Sequence, residues 1–484
     1  MRCSLKAPTA VLIALVSILF APPGLVSQST GGSTSTTTTS PSVSLPPQFL
    51  GSSPEGQPSA EVLKIDFKEA IDRGLRTNLG LLVASDQAQA AVGERWRELA
   101  ELLPNLSGRF IESVQTENLA ALGLKPSTIG ANIPSFIGPF NYFDLRANLS
   151  QSLFNWRDLQ NERSARQSLK AAQLSYKDAR ELVVLAVGNS YLEAIAAAAR
   201  VDTAEAQVKA AQALYDKAVD QQHAGLTPAI DTLRSQVELQ TRQQQLIQAR
   251  NDLAKSTLKV GRIIGLPPGQ QFELTEKAPF QALTPEPLET YLTRAYAGRA
   301  DYQSAAAQVI AAEFNRKGAT AGHYPSADLT ANFGDIGVNP ANSHGTWQVI
   351  GGITIPIFAG NRVHADVLEA DAQLKQARSQ LGDLRGKIDY QVRTALLDLE
   401  AAAEQVAVAR SSVDLAEQTL SQSRDRFSAG VTDNLEVVQA QETVASAHEN
   451  YIQSLYAHNL AKVELAYAIG NAEQGVRRYL KGNQ

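Results

Sequence analysis

The chain is almost without cysteine: its 484 residues hold one, Cys3, with one methionine, three tryptophans and six histidines. Cys3 precedes a short apolar run, Val11 to Phe20, which follows Arg2 and Lys6 and leads into small residues around Val26-Ser27-Gln28. Charge, apolar run and small-residue site in that order make a secretory leader, so residues 1–27 are expected to leave on export. The mature chain then has no disulfide and no cysteine–metal site. No cysteine follows the run, so no N-terminal lipid is expected. The run is too short to cross a bilayer, and no other stretch reads as a transmembrane helix. The histidines are scattered, without a helical metal spacing beside a carboxylate. There is no glycine-rich phosphate loop, no nucleophile elbow and no zinc motif. No catalytic residue, metal or cofactor is therefore assigned, and the chain is not expected to be an enzyme. A net charge of −5 gives nucleic acid no purchase.

Residues 28–59 are rich in Gly, Ser, Thr and Pro and bury too little apolar surface to order themselves, so a disordered extension is expected there. Beyond it the chain is one pattern written twice. Residues 60–103 repeat Ala70, Ile71, Leu75, Leu79, Leu82 and Val83 at helical spacing, with a break at Asn78 or Gly80. The period then changes. Phe143, Leu145, Ala147 and Leu149 alternate with Asp144, Arg146, Asn148 and Ser150, the mark of a strand with one apolar face. Residues 105–116 form a weaker strand, with Leu106, Gly108 and Phe110 on one face, and 117–141 read as the loop between them. From Arg157 to His223 there is no proline and one glycine, Gly188. Such a helix is about 100 Å long. A return helix runs from Ala229 to Ile264 and stops at Gly265-Leu266-Pro267-Pro268-Gly269.

The second copy follows the same order. Helix covers 288–322, and Ala327, Leu329, Ala331 and Phe333 share a strand face. A loop at 335–345 leads to a strand with Trp347, Val349, Ile353, Ile355 and Ile357 on its apolar face. A long helix from about 363 to 428 and a return helix to Ile469-Gly470 complete it. The domains are thus repeat one at 60–280 (hairpin 105–153, tip 223–232), repeat two at 281–472 (hairpin 326–358, tip 428–437) and a tail at 473–484.

The two tips are the sharpest local match. Ala224-Gly225-Leu226-Thr227 and Ala429-Gly430-Val431-Thr432 stand 205 residues apart, each with an acid six places after the glycine, Asp231 and Glu436. Glycine suits the left-handed residue that ends a helix. Thr227 and Thr432 are placed to cap the helix that follows, with Pro228 at its first position. An acid at such a site complements the helix dipole, and Asp433 is accounted for in the same way. Four amphipathic strands cannot close a barrel alone, and an open edge in lipid is costly. Several chains donating four strands each is the economical solution. A soluble coiled coil with a small capping sheet is the other, and it leaves Trp347, Ile353 and Ile355 unexplained.

In order and duplicated, these elements resemble the TolC-type outer-membrane efflux protein family over about residues 60–472. The resemblance rests on Ala70-Ile71 through Asn78, on Arg299-Ala300-Asp301, on the Pro104 and Pro325 strand entries, on Ile355-Pro356-Ile357-Phe358-Ala359-Gly360-Asn361-Arg362, and on the two Ala-Gly tips. It implies a mainly α fold with a membrane β-barrel portion. A homotrimer would form a twelve-stranded barrel in outer-membrane lipid and a periplasmic α-barrel below it. It implies a passive exit duct of a tripartite efflux or type I secretion system, reaching an inner-membrane pump indirectly through a periplasmic adaptor protein. The adaptor would dock at Ala224, Gly225, Leu226, Thr227, Ala429, Gly430, Val431 and Thr432, and Asp231 and Glu436 would ring the pore entrance. A non-conducting periplasmic coiled-coil scaffold is the alternative function. The chain departs from the family pattern at Phe427, Thr432 and Gln439, which implies a closed entrance that is looser or held differently.

Overall fold

The structure, a computed structural model, describes residues 45–475 except 55, 122–133, 277–279, 282, 284, 285 and 433. The leader, residues 28–44 of the extension, Asp433 and residues 476–484 of the tail lie outside the described residues. Helix α1 (Phe67–Thr77) and α2 (Leu79–Ala100) meet at Asn78, the break expected there. Asn78 is fully buried, accepts from Gly80 N at 2.9 Å and donates to Phe49 O at 2.8 Å.

That second bond corrects one expectation. The extension, expected to be disordered to residue 59, packs from residue 45 onward. Pro47–Leu50 form a 3-10 turn, Phe49 is 3% exposed, and Leu79 N donates to Gly51 O at 3.0 Å. Phe49 lies so close over Gly80 that a Cβ there would meet its ring at 2.5 Å. One aromatic anchor outweighs the polar composition around it.

Strand β1 (Leu63–Ile65) pairs in parallel with β4 (Phe272–Leu274), which joins the two ends of the first half. Strands β2 (Asn105–Asn118) and β3 (Phe136–Phe154) lead into α3 (Trp156–His223) and α4 (Ala229–Ile263). Then come α5 (Leu288–Gly298), α6 (Ala300–Thr320), β5 (Ser326–Gly337), β6 (Ser343–Thr354), α7 (Arg362–Ser428) and α8 (Asn434–Ala468). Asn155 starts α3 by accepting from Arg157 N at 3.1 Å.

The hairpin loops are shorter than the sequence suggested. β2 runs on to Asn118 and β3 starts at Phe136, although 117–141 carries glycine and proline. A register shift between Gln115 and Glu117 lies opposite Gly138, whose Cβ would meet Gln115 O at 2.7 Å. A bulge absorbs residues that would otherwise end a strand. β6 stops at Thr354, short of Ile355 and Ile357, because Pro356 cannot donate to a ladder.

The core is built from small and branched residues. Val183, Val184, Ala186, Tyr191 and Ala194 of α3 are essentially unexposed, and Tyr191 donates to Ile65 O at 3.2 Å. This part of α3 is long and apolar enough to cross a membrane, contrary to the expectation that no such stretch follows the leader; 72% of it is buried within the chain. Glycines let helices touch: a Cβ on Gly74 would meet Val187 at 2.6 Å, and one on Gly188 would meet Val463 at 3.2 Å. A second cluster joins Tyr291 and Ala295 of α5 to Ile388, Val392 and Leu399 of α7 and to Leu465 of α8. Beside it Arg299, 3% exposed, pairs with Asp301 at 2.6 Å, donates to Gln391 and stacks on Tyr467.

Ile388 is fully buried in that cluster. Ile388→Ala is expected to cost about 2–5 kcal/mol through lost burial and the cavity left behind. A denaturant midpoint unchanged from the parent chain would show that this cluster does not hold the helices together.

Candidate functional site: the sheet and the helical tips

The four long strands form one antiparallel sheet in the order β2-β3-β5-β6. Its register places Leu106, Leu149, Ala331 and Val349 in one row, and Gly108, Ala147, Phe333 and Trp347 in the next. The opposite face carries Ser107, Asn148, Asn332 and Gln348 in the matching row. The alternation of every strand is therefore in phase, and the sheet has one apolar and one polar side. The apolar side is uncovered: Trp347 is 74% exposed, Phe333 69% and Leu106 72%. Each outer strand, β2 and β6, pairs with one neighbour only among the described residues.

The helices carry apolar stripes of the same kind. Ile230, Leu233, Val237, Ile247 and Leu258 are exposed on α4. They fall on an alternation of three and four from 230 to 258, whose remaining positions are Gln240, Gln244, Asn251 and Ala254. On α7, Tyr390, Leu397, Val408 and Leu415 are exposed on a stripe of the same period. Such a spacing is that of a coiled-coil seam, interrupted by polar residues, and among the described residues these apolar side chains stay exposed.

At the first tip, Gly225 adopts φ +70° and its N–H donates to Gln222 O at 3.0 Å, while Leu226 N–H reaches Gln221 O at 2.9 Å. At the second, Gly430 has φ +72°, with Gly430 N–H to Phe427 O at 3.1 Å and Val431 N–H to Arg426 O at 3.0 Å. Both are Schellman caps, which require a residue that tolerates the left-handed region. Ala224 and Ala429 precede them as exposed helix caps. The next residue points outward in both: Leu226 is 75% exposed and Val431 69%.

Thr227 does not cap the helix that follows it. Pro228, not Thr227, is the residue before α4, and Thr227 Oγ1 is buried with no partner among the described residues. Proline has no side-chain acceptor, and its fixed φ sets the turn instead. Thr432 donates its hydroxyl to Glu436 Oε2 at 2.6 Å. Glu436 also accepts from Ser423 at 3.3 Å and faces Arg426 at 3.7 Å. The Thr432 hydroxyl is the main cause that holds the Glu436 carboxyl below its ordinary value, with Arg426 and Ser423 adding to it. Asp231 is 5% exposed and pairs with Arg234 at 3.5 Å. Each acid thus has its own arginine on its own hairpin.

Sequence reasoning missed the residue that joins the two hairpins here. Asn434, fully buried at the start of α8, donates to the Asp231 carbonyl at 3.0 Å and to Ser235 Oγ. The only sequence signal was its place beside the second acid. Phe427 packs with Leu214, Leu420, Val437 and Ala440, so no hydroxyl is called for at that position. Gln439 is exposed.

An amphipathic four-stranded sheet with an uncovered apolar side, carried on helices of 68 and 67 residues, has the strand alternation of outer-membrane barrels. The family model described as "Outer membrane efflux protein" matches residues 122–266 and 291–471, and the chain belongs to that family. It is similar to outer membrane efflux protein BepC of Brucella suis biovar 1 (strain 1330), 25% identical over 269 residues, which are 55% of this chain and 56% of BepC. The chain thus spans just over half the length of that relative. It is also similar to outer membrane protein TolC of Escherichia coli (strain K12), 22% identical over 344 residues, 67% of this chain and 69% of TolC. The crystal structure of the Campylobacter jejuni CmeC outer membrane channel shares the fold, with a TM-score of 0.71 at 17% identity, covering 90% of this chain and 94% of CmeC.

The bond from Thr432 gives a signed expectation. A carboxyl whose folded pKa lies below its unfolded value stabilises the fold above about pH 4.5, and the contribution is lost as pH falls through the lowered value. In Thr432→Val the Glu436 pKa should rise toward the ordinary value, and protection of the second tip against hydrogen exchange should be lost at a higher pH than in the parent chain. Identical pH profiles would mean that Thr432 does not hold Glu436.

Proposed function

We propose that three copies of this chain pair edge to edge, β2 of one with β6 of the next, into one twelve-stranded barrel in the outer membrane. The observation that carries this is the sheet, apolar along one side through all four strands and unpaired at both edges. In hydrocarbon an unpaired strand edge costs several kcal/mol for each unmet backbone group. Closure by further copies meets that demand. The unpartnered seams on α4 and α7 support the same assembly, since each copy then offers an apolar stripe to its neighbour and the hairpins close into a periplasmic α-barrel.

The trimer acts as a passive exit duct of a tripartite efflux or type I secretion system. Its tips dock a periplasmic adaptor, through which an inner-membrane pump is reached. Ala224, Gly225, Leu226 and Thr227 make one docking element, and Ala429, Gly430, Val431 and Thr432 the other. What supports this is the pairing of an open glycine turn with one exposed apolar side chain: a Cβ on Gly225 or Gly430 would meet nothing within 4 Å. The entrance charge lies on Asp231 and Glu436. Glu436 carries the larger share, because its side chain is 36% exposed against 8% for Asp231. Carboxylates gathered around a narrow axis favour cations.

Two experiments bear on this. Native mass in mild detergent should correspond to three chains that conduct ions in a bilayer, and Asp231→Asn with Glu436→Gln should lower the cation preference of that conductance. A monomer that needs no detergent would leave only a non-conducting scaffold, and unchanged selectivity would remove the acids from the pore. Separately, Leu226→Asp with Val431→Asp should abolish export in cells while leaving trimer mass and conductance intact. Full export by that double variant would rule out docking at the tips.

A further inference from the structure

On the polar side of the sheet, the row beyond Ser107, Asn148, Asn332 and Gln348 sets Arg109 of β2 directly opposite Arg146 of β3, followed by Gly334 and Thr346. Like charges in facing positions of a sheet repel, so such a pair costs stability unless something offsets it. For Arg146 the offset is Asp144, in the next row on the same side. Arg146 donates to both carboxylate oxygens, from Nε to Oδ1 at 2.6 Å and from Nη2 to Oδ2. Tyr142 donates its hydroxyl to Oδ2 at 3.1 Å, and Asp144 is left 1% exposed. Gly334 makes room for this arrangement, since a Cβ there would meet Arg146 Cγ at 2.7 Å.

Arg109 has no such offset. It is exposed and close enough to Asp144 to feel its charge, yet among the described residues it makes no ion pair and no hydrogen bond through its side chain. The oxygens it would need are taken by Arg146 and Tyr142. Asp328 faces the same side, but it lies along β5 at about 20 Å from Gly334. A neighbouring copy does not supply the missing carboxylate either. In the barrel proposed above β2 pairs with β6 of the next copy, and Ser343–Thr354 contains neither Asp nor Glu. On that reading, on which this inference rests, the polar side lines the lumen. Each copy then brings two guanidinium groups and one carboxylate to the same stretch of wall.

We propose that Arg109, beside Arg146, forms an anion-binding band inside the barrel that takes the phosphate or carboxylate group of a solute on its way out. The planar guanidinium fork matches both groups through paired, charge-assisted hydrogen bonds. Arg146 is held by Asp144, so Arg109 is the group free to meet the solute. A ring of such cations in a narrow wall selects for anions. The duct then carries two filters of opposite sign in series, the acids at the tips and Arg109 in the barrel.

The test records ion current through the full-length protein in a planar bilayer, with tripolyphosphate as the probe, added to each side in turn. A saturable block is expected in the parent chain. Arg109→Gln should need at least about tenfold more tripolyphosphate for half-block, the loss of one charge-assisted contact. Arg109→Lys, which keeps the charge, should block like the parent. Both variants leave the pair of Arg146 with Asp144 in place, and Arg109→Met replaces the glutamine variant if that one gives no current. Conducting channels that are blocked equally in the parent and in Arg109→Gln would overturn the band and leave the barrel standing, as would block that never saturates. A parent chain that gives no current at all would remove the barrel and the band with it.

Discussion

A backbone amide or carbonyl that meets hydrocarbon with no partner has nowhere to turn, and that constraint organises this molecule. The four strands satisfy one another in the interior of the sheet and leave two edges open. Among the described residues no helix covers the apolar side of the sheet. The apolar row through Trp347 and Phe333 already faces outward, while the row through Asn332 and Gln348 stays polar. A single sheet that is lipid-compatible on one side and water-compatible on the other is part of a wall. Closure by further copies, as proposed above, is one way to meet the hydrogen bonds of those edges.

The helical part obeys a different rule. Very long helices bundle stably only if neighbours approach closely along most of their length, and here the chain meets this with alanine, glycine and serine. Gly74 against Val187 and Gly188 against Val463 mark where α3 is gripped on two sides. Further from the core the contacts thin. Packing within one chain is thus tight on one side of these helices and leaves the stripes on α4 and α7 exposed.

Much of this was legible in the residues, because periodicity is a repeated signal. The absence of proline from 157 to 223 and the lone Gly188 gave the long helix almost to the residue, and the Ala-Gly turns gave both Schellman caps. What escaped notice was carried by single residues. Phe49 orders a segment whose average composition is that of a linker. The bulge opposite Gly138 hides two strand ends inside a stretch of glycine and proline. Pro228 takes the place assigned to Thr227, since a fixed φ turns the chain where a hydroxyl would have capped it. Contacts between residues some 200 positions apart, such as Asn434 with Asp231, leave no local trace at all.

The tip region shows why those contacts matter. Each hairpin neutralises its own acid with its own arginine, Asp231 with Arg234 and Glu436 with Arg426. Such pairs hold a tip in shape but do not tie one hairpin to the other. Among the described residues Asn434 crosses between the return helices there, through a neutral amide to a backbone carbonyl and a serine hydroxyl, and Leu214 of the first hairpin packs on Phe427 of the second. A neutral tie is weaker than a buried ion pair but is independent of pH and little affected by salt. The tie between the return helices is thus separate from the acid–arginine pairs that shape each tip.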